Sequence, residues 1–219
     1  MANPNDRREV GLPSTSRLEA FSDGVFAIAI TLLVLDLAVP ARDELGHRSL
    51  AAVLARQWPS YFAYLVSFAV IGIIWVNHHA MCTLARRADR LVLFANLFLL
   101  LTVSVIPFPT RLLAEYLTAH GQDAHTAAAV YSATMLVMGI AFTGFFLAIT
   151  RDARLMHTPL DPATVRATLR RFSAGALVYL ATVGLAFVSA IVTLIVHALL
   201  AAYYCFDQLA PARHESPEL

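Results

Sequence analysis

Lysine is absent from the 219-residue chain; all 16 of its basic residues are arginine. That absence excludes a Schiff base to retinal or pyridoxal phosphate, a P-loop lysine and a lysine general base. Charge of either sign is scarce, at 14% of residues, against about 25% in a soluble domain. With a hydrophobic share of 58%, the chain is neither disordered nor an ordinary cytosolic enzyme. Its net charge of +1 offers no basic surface to nucleic acid. Only two cysteines occur, Cys82 and Cys205. They allow at most one disulfide, and both fall where apolar runs end toward the cytoplasm, where thiols stay reduced. No Gly-x-Ser-x-Gly, His-Glu-x-x-His or paired catalytic carboxylates occur, so an enzyme is not expected. Internal repeats, linkers and low-complexity tracts are missing as well.

What the chain does have is long apolar runs. A transmembrane helix needs about 20 mostly apolar residues. Such runs lie at roughly Phe21–Val39, Pro59–Val76, Leu91–Leu113 and Ala127–Ile149. A fifth stretch, Phe172–Leu209, would make a helix of about 57 Å, well beyond a ~30 Å core. It is therefore expected to be two helices with a tight turn near Phe187–Ser189, giving six spans. The loops then alternate sides. Arg7, Arg8, Arg17, Arg86, Arg87, Arg90, Arg151, Arg154, Arg166, Arg170, Arg171 and Arg213 fall on one side, against Arg42, Arg48, Arg56 and Arg111 on the other. The positive-inside rule puts both termini in the cytoplasm. The expectation is an all-α membrane protein, one six-helix domain over 1–219, with 1–16 and 210–219 as cytoplasmic tails. The first run is too long for a cleaved signal peptide, and it opens on Phe-Ser-Asp-Gly and contains Asp36.

The first span holds two carboxylates, Asp23 and Asp36, in or at the ends of a membrane segment, and an intramembrane ionisable group marks a functional-site candidate. With Ile28 set at 0° on a helical wheel, Leu35 lies at about −20°, Val39 at about 20°, Leu32 at about 40° and Thr31 at about −60°. These form one apolar stripe edged by a hydroxyl. Taken alone, the stripe reads as a face touching lipid or a neighbouring helix, since any Leu/Ile-rich span contains such stripes. Asp23 lies at about −140°. It should point into its own subunit, where burial requires hydrogen-bond donors. The second span ends Trp75-Val-Asn77-His78-His79, and the indole and two imidazoles can supply those donors. Metal is the weaker reading: desaturase boxes run His-x-x-His-His, position 75 is Trp, and His47, His120, His125, His157, His197 and His214 build no second box. The third span ends Pro107-Phe-Pro109-Thr110-Arg111, consistent with either helix termination or a kink. Thr182-Val183-Gly184 copies the start of the Thr-Val-Gly-Tyr-Gly potassium filter, yet continues Leu-Ala inside an apolar span; it reads as small-residue helix packing.

Arg17-x-x-x-Phe21-Ser22-Asp23, followed by Gly-Val-Phe-Ala-Ile-Ala-Ile-Thr-Leu-Leu-Val-Leu, closely resembles the transmembrane protein 175 family of potassium channels. The Trp75-x-x-His78-His79 and Pro107-Phe-Pro-Thr110 segments are similar to its bacterial branch. The resemblance is sharp over Arg17–Asp36, softer to Arg111, and beyond that only the span count matches. It implies a single-repeat chain of six helices assembling as a homotetramer, with the first helices lining a central pore. It implies an apolar constriction at Ile28, with further rings at Leu32 and Leu35, and a hydroxyl layer at Thr31 contributing to selectivity. It further implies a polar network of Arg17, Phe21, Ser22 and Asp23 with Trp75, His78 and His79 that holds the first helix. The implied function is a modestly potassium-selective cation channel of a bacterial cell membrane, with K+ as the permeating ion and no cofactor or resident metal.

Apolar rings gate by dewetting. Potassium sheds water more cheaply than sodium, so an apolar neck favours it modestly. Thr31 hydroxyls either replace lost water or bond back to the carbonyl of Ala27. Asp36 either concentrates cations at an outer mouth or is a solvated helix-end carboxylate. The alternative function is a proton-coupled or cation secondary transporter with Asp23 and His78 or His79 as relay. Transporters usually show Gly/Pro-broken helices at midplane, and the first span is unbroken after Gly24.

Overall fold

The computed structural model describes residues 15–42, 46–119 and 121–209. Most of the two expected tails, with Arg7, Arg8, Arg213 and His214, lies outside the described residues, as does His120. Helix α1 runs Ser16–Leu32 and tightens into a 3-10 turn over Leu33–Asp36. It stops where Val39, before Pro40, is biased to extended backbone. A short α2, Leu50–Arg56, follows, its N-cap Ser49 accepting the Ala52 N–H. Helix α3 spans Trp58–Leu84, with Pro59 in its first turn, where a missing N–H costs nothing. Helix α4, Arg90–Val105, starts at Asp89, whose carboxylate accepts the Val92 N–H at 3.0 Å.

The third span does not terminate at its prolines. Helix α5, Pro107–Tyr116, resumes after a local break at Ile106. Pro107 cannot donate to the Val103 carbonyl four residues back, and the Ile106 N–H takes that carbonyl at 3.1 Å instead. Helix α6 spans Gln122–Thr150, entered through Gly121 at φ 86°, a conformation that favours glycine. Helix α7 spans Pro162–Ala186, capped by Asp161, and α8 spans Ala190–Leu209. The turn between them, at Phe187–Ser189, falls where the length argument put it. It is closed by N–H bonds from Phe187, Val188 and Ser189 to the Gly184 and Leu185 carbonyls.

Among the described residues, four segments are long and apolar enough to cross a membrane: Ser16–Asp36, Trp58–Leu84, Arg90–Tyr116 and Gln122–Thr150. Helix α7 is long enough but carries Arg166, Arg170 and Arg171 in its first half, and the apolar part of α8, Ala190–Cys205, is shorter. Helix α6 forms the axis of the bundle, burying Tyr131, Met135, Met138, Phe145, Phe146 and Ile149. Polar side chains also sit in this interior. The Ser67 and Tyr131 hydroxyls are 3.0 Å apart, with the Thr110 hydroxyl 2.7 Å from Ser67, and Ser132 lies 3.0 Å from His197. At the α3 C-terminal end, the Arg86 N–H bonds the Leu155 carbonyl at 2.7 Å and the His157 N–H bonds Leu84 at 3.0 Å. An ion pair of Arg151 with Asp89 closes the same end. Beside it Arg154 hydrogen-bonds Asp152 and holds that carboxyl below the usual carboxylate range.

Candidate functional site

Helix α1 packs by one face only. Leu18, Ser22, Phe26, Ala29 and Leu33 are buried, a four-four-three-four spacing that keeps them on one side of the helix. This face is centred about 120° from Ile28 on the wheel. The expected stripe lies off it: Ile28 is 62% exposed, Leu32 42% and Leu35 73%. In a 3-10 turn, residues three apart eclipse, so Leu35 stands nearly above Leu32 along the axis. Thr31 is exposed too, and its hydroxyl donates to the carbonyls of Ala27 at 2.7 Å and Ile28 at 3.0 Å. The back-bond consumes the proton and leaves the oxygen lone pairs, which are what a cation uses.

At the N-terminal end of α1 the polar residues form two separate sets. The first is buried. The Ser22 hydroxyl donates to the Leu18 carbonyl at 2.8 Å and accepts from the Asn96 amide at 3.0 Å. Asn96 Oδ1 lies 2.8 Å from His78 Nε2. An amide oxygen only accepts, so Nε2 carries the proton, and Nδ1 is left to the Cys82 thiol at 3.7 Å. The His78 ring is stacked on Phe145 at 5.2 Å and tilted against Phe26 at 5.3 Å. Helices α1, α3, α4 and α6 thus meet on one imidazole.

The second set is exposed. Trp75 donates its indole N–H to Asp23 Oδ1 at 2.8 Å, and His79 Nδ1 lies 2.8 Å from Glu19 Oε1. The Trp75 and His79 rings stack at 6.3 Å.

These positions correct parts of the expected network. Asp23 bonds within its own chain but is not buried, because it follows Ser22 by about 100° of helix turn and Ser22 holds the packed face. Arg17 is exposed and belongs to neither set. Phe21 is 57% exposed and does not pack. His78 turns to Asn96 rather than to Asp23. Asp36 is half-buried against α3 and α5 rather than solvated. Its Oδ2 has no hydrogen-bond partner, and Arg111 lies close enough to act on its charge. A neighbouring cation weakens any field that Asp36 offers to permeating ions. Asn96 and Glu19 lie outside the network expected from the sequence. A lone amide in the apolar run Leu91–Leu101 is the signal for the first, and the one-turn spacing of Glu19 and Asp23 for the second.

The family model described as "Endosomal/lysosomal potassium channel TMEM175" matches residues 17–107, which hold α1 and both polar sets. A potassium channel of Streptomyces collinus is 50% identical over 92% of this chain and 97% of its own length. The chain belongs to the TMEM175 family. The crystal structure of a lysosomal potassium-selective channel TMEM175 homolog from Chamaesiphon minutus superposes with a TM-score of 0.79 at 40% identity, covering 90% of this chain and 98% of that one. The human endosomal/lysosomal proton channel TMEM175 is 40% identical over 100 residues, 43% of this chain but 20% of the human protein. The chain is therefore an all-helical membrane protein of this family.

Proposed function

We propose that this chain forms a potassium-selective cation channel as a homotetramer in a bacterial cell membrane, six helices crossing per subunit and both termini cytoplasmic. The exposed stripe of α1 carries the reading. Ile28, Leu32 and Leu35 are apolar yet face away from the bundle, and one helix cannot enclose a path. A closed ring of copies is the usual solution. In that ring Ile28 is the narrowest point, with Leu32 and Leu35 stacked toward the outer mouth near Asp36. Ions cross when the ring widens and wets, and potassium, shedding water more cheaply, is favoured. Thr31 presents oxygen to the partly dehydrated ion. The buried Ser22–Asn96–His78 set anchors α1, and the Asp23–Trp75 and Glu19–His79 pairs brace its cytoplasmic end. That the bacterial relatives are potassium channels supports a channel over a carrier.

The test is purified protein in liposomes under bi-ionic potassium and sodium conditions. Voltage-driven current with no counter-ion gradient, reversing on the potassium side, is expected. Obligatory electroneutral exchange instead of current would overturn the reading.

A further inference from the structure

Away from α1, a partly open cavity of about 300 Å³ lies between α3, α6, α7 and α8. Its lining is mixed: Phe142, Phe172 and Ala176 are apolar, and Asn77, Thr168, Arg171 and Tyr204 bring polar groups. Gly175 lets the Tyr204 hydroxyl approach α7: a β-carbon there would stand 2.9 Å from that oxygen. Arg171 is near enough to act on the same phenol.

Depth decides what such a cavity takes. Arg171 precedes Ala186, the far end of α7, by about 22 Å of helix axis, less than the ~30 Å hydrocarbon core. In the orientation proposed above, with Ala186 at the outer edge of the core, its backbone lies inside the cytoplasmic edge, and its guanidinium reaches the headgroup level by snorkelling. Basic pockets between spans on the cytoplasmic side attract anionic headgroups, and a guanidinium fork matches a phosphodiester.

We propose that this cavity binds one anionic phospholipid of the cytoplasmic leaflet. The phosphodiester sits on Arg171, with the Thr168 and Tyr204 hydroxyls donating to it. One acyl chain lies along Phe142, Phe172 and Ala176. The bound lipid ties α7 and α8 to α3 and α6. The inference uses the membrane orientation proposed above but not ion conduction, and it is read by binding, so its failure is distinct from failure of the channel reading.

The full chain in detergent is incubated with phosphatidylglycerol or phosphatidylcholine of identical acyl chains, then followed by native mass spectrometry and thermal unfolding. Phosphatidylglycerol is retained in preference and raises the unfolding midpoint. Arg171→Gln weakens retention about fivefold, equivalent to about 1 kcal/mol for one arginine at a membrane surface. Ala176→Leu fills the cavity and also lowers retention with every charge in place, which keeps the test decisive if Arg171→Gln folds poorly. Arg166→Gln, on the same helix but outside the cavity, leaves retention unchanged. Equal retention of the two lipids overturns the proposal. So does equal loss from Arg166→Gln and Arg171→Gln, which means diffuse attraction, or displacement of the lipid by millimolar inorganic phosphate, which means a free-anion site.

Discussion

On α1 the packed face carries Leu18, Ser22, Phe26, Ala29 and Leu33, and the opposite face carries Ile28, Thr31, Leu32 and Leu35. Each is apolar with one hydroxyl, so hydropathy does not separate them. Their partners do. The Ser22 hydroxyl donates and accepts inside the bundle, joining α1 to α4 and, through Asn96, to α3. The Thr31 hydroxyl donates only to its own helix. One face is committed to the subunit; the other is left for copies of the chain and for ions. The same division separates the buried Ser22–Asn96–His78 set from the exposed Asp23–Trp75 and Glu19–His79 pairs.

The largest expected effect is at the buried hub. Asn96→Leu removes the partner of His78 and one partner of Ser22, leaving a buried imidazole N–H unpaired at a cost of about 1–3 kcal/mol. Thermal unfolding in detergent should fall by several degrees; an unchanged midpoint would remove the hub from the packed face's account. A smaller effect is expected on the exposed side. Asp23→Ala loses one exposed hydrogen bond to Trp75 and should shift stability by less than about 1 kcal/mol. A loss as large as that of Asn96→Leu would mean that neighbouring copies bury Asp23 in the assembly. The smallest expected effect on stability is at Thr31→Val, which breaks no contact between helices. Its readout is the potassium-to-sodium reversal potential. The potassium preference should fall while conductance changes little, and no shift beyond error would leave the apolar rings as the sole filter.

Ile28, Leu32 and Leu35 share an exposed side of the first span because a helix fixes side-chain direction at about 100° per residue. The split at Phe187–Ser189 followed from length against bilayer thickness. Both depend on one element at a time. Asp23 lies nearly opposite Ile28, but the packed face is centred about 120° from Ile28 rather than opposite it, so Ser22 takes the buried position and Asp23 stays exposed. The partner of His78 was hidden because Asn96 stands on another helix, and the register between helices is not written in the periodicity of either. Helix α2, Leu50–Arg56, capped by Ser49, is far shorter than the about 20 residues of a span and is not announced by the apolar runs. The continuation of the third span past Pro107 depended on the Ile106 N–H rescuing the Val103 carbonyl, a local adjustment that the prolines alone do not announce.

The central claim, that the face of α1 left unpacked by its own subunit lines the ion path, is tested most directly at Ile28. Single-channel conductance and bi-ionic reversal potential are measured for Ile28→Asn against the parent in the same liposomes. Lining the narrowest ring, the substitution wets the neck: conductance rises and discrimination against sodium weakens. If both stay at the parent values, Ile28 is not in the pore and the account of α1 is wrong.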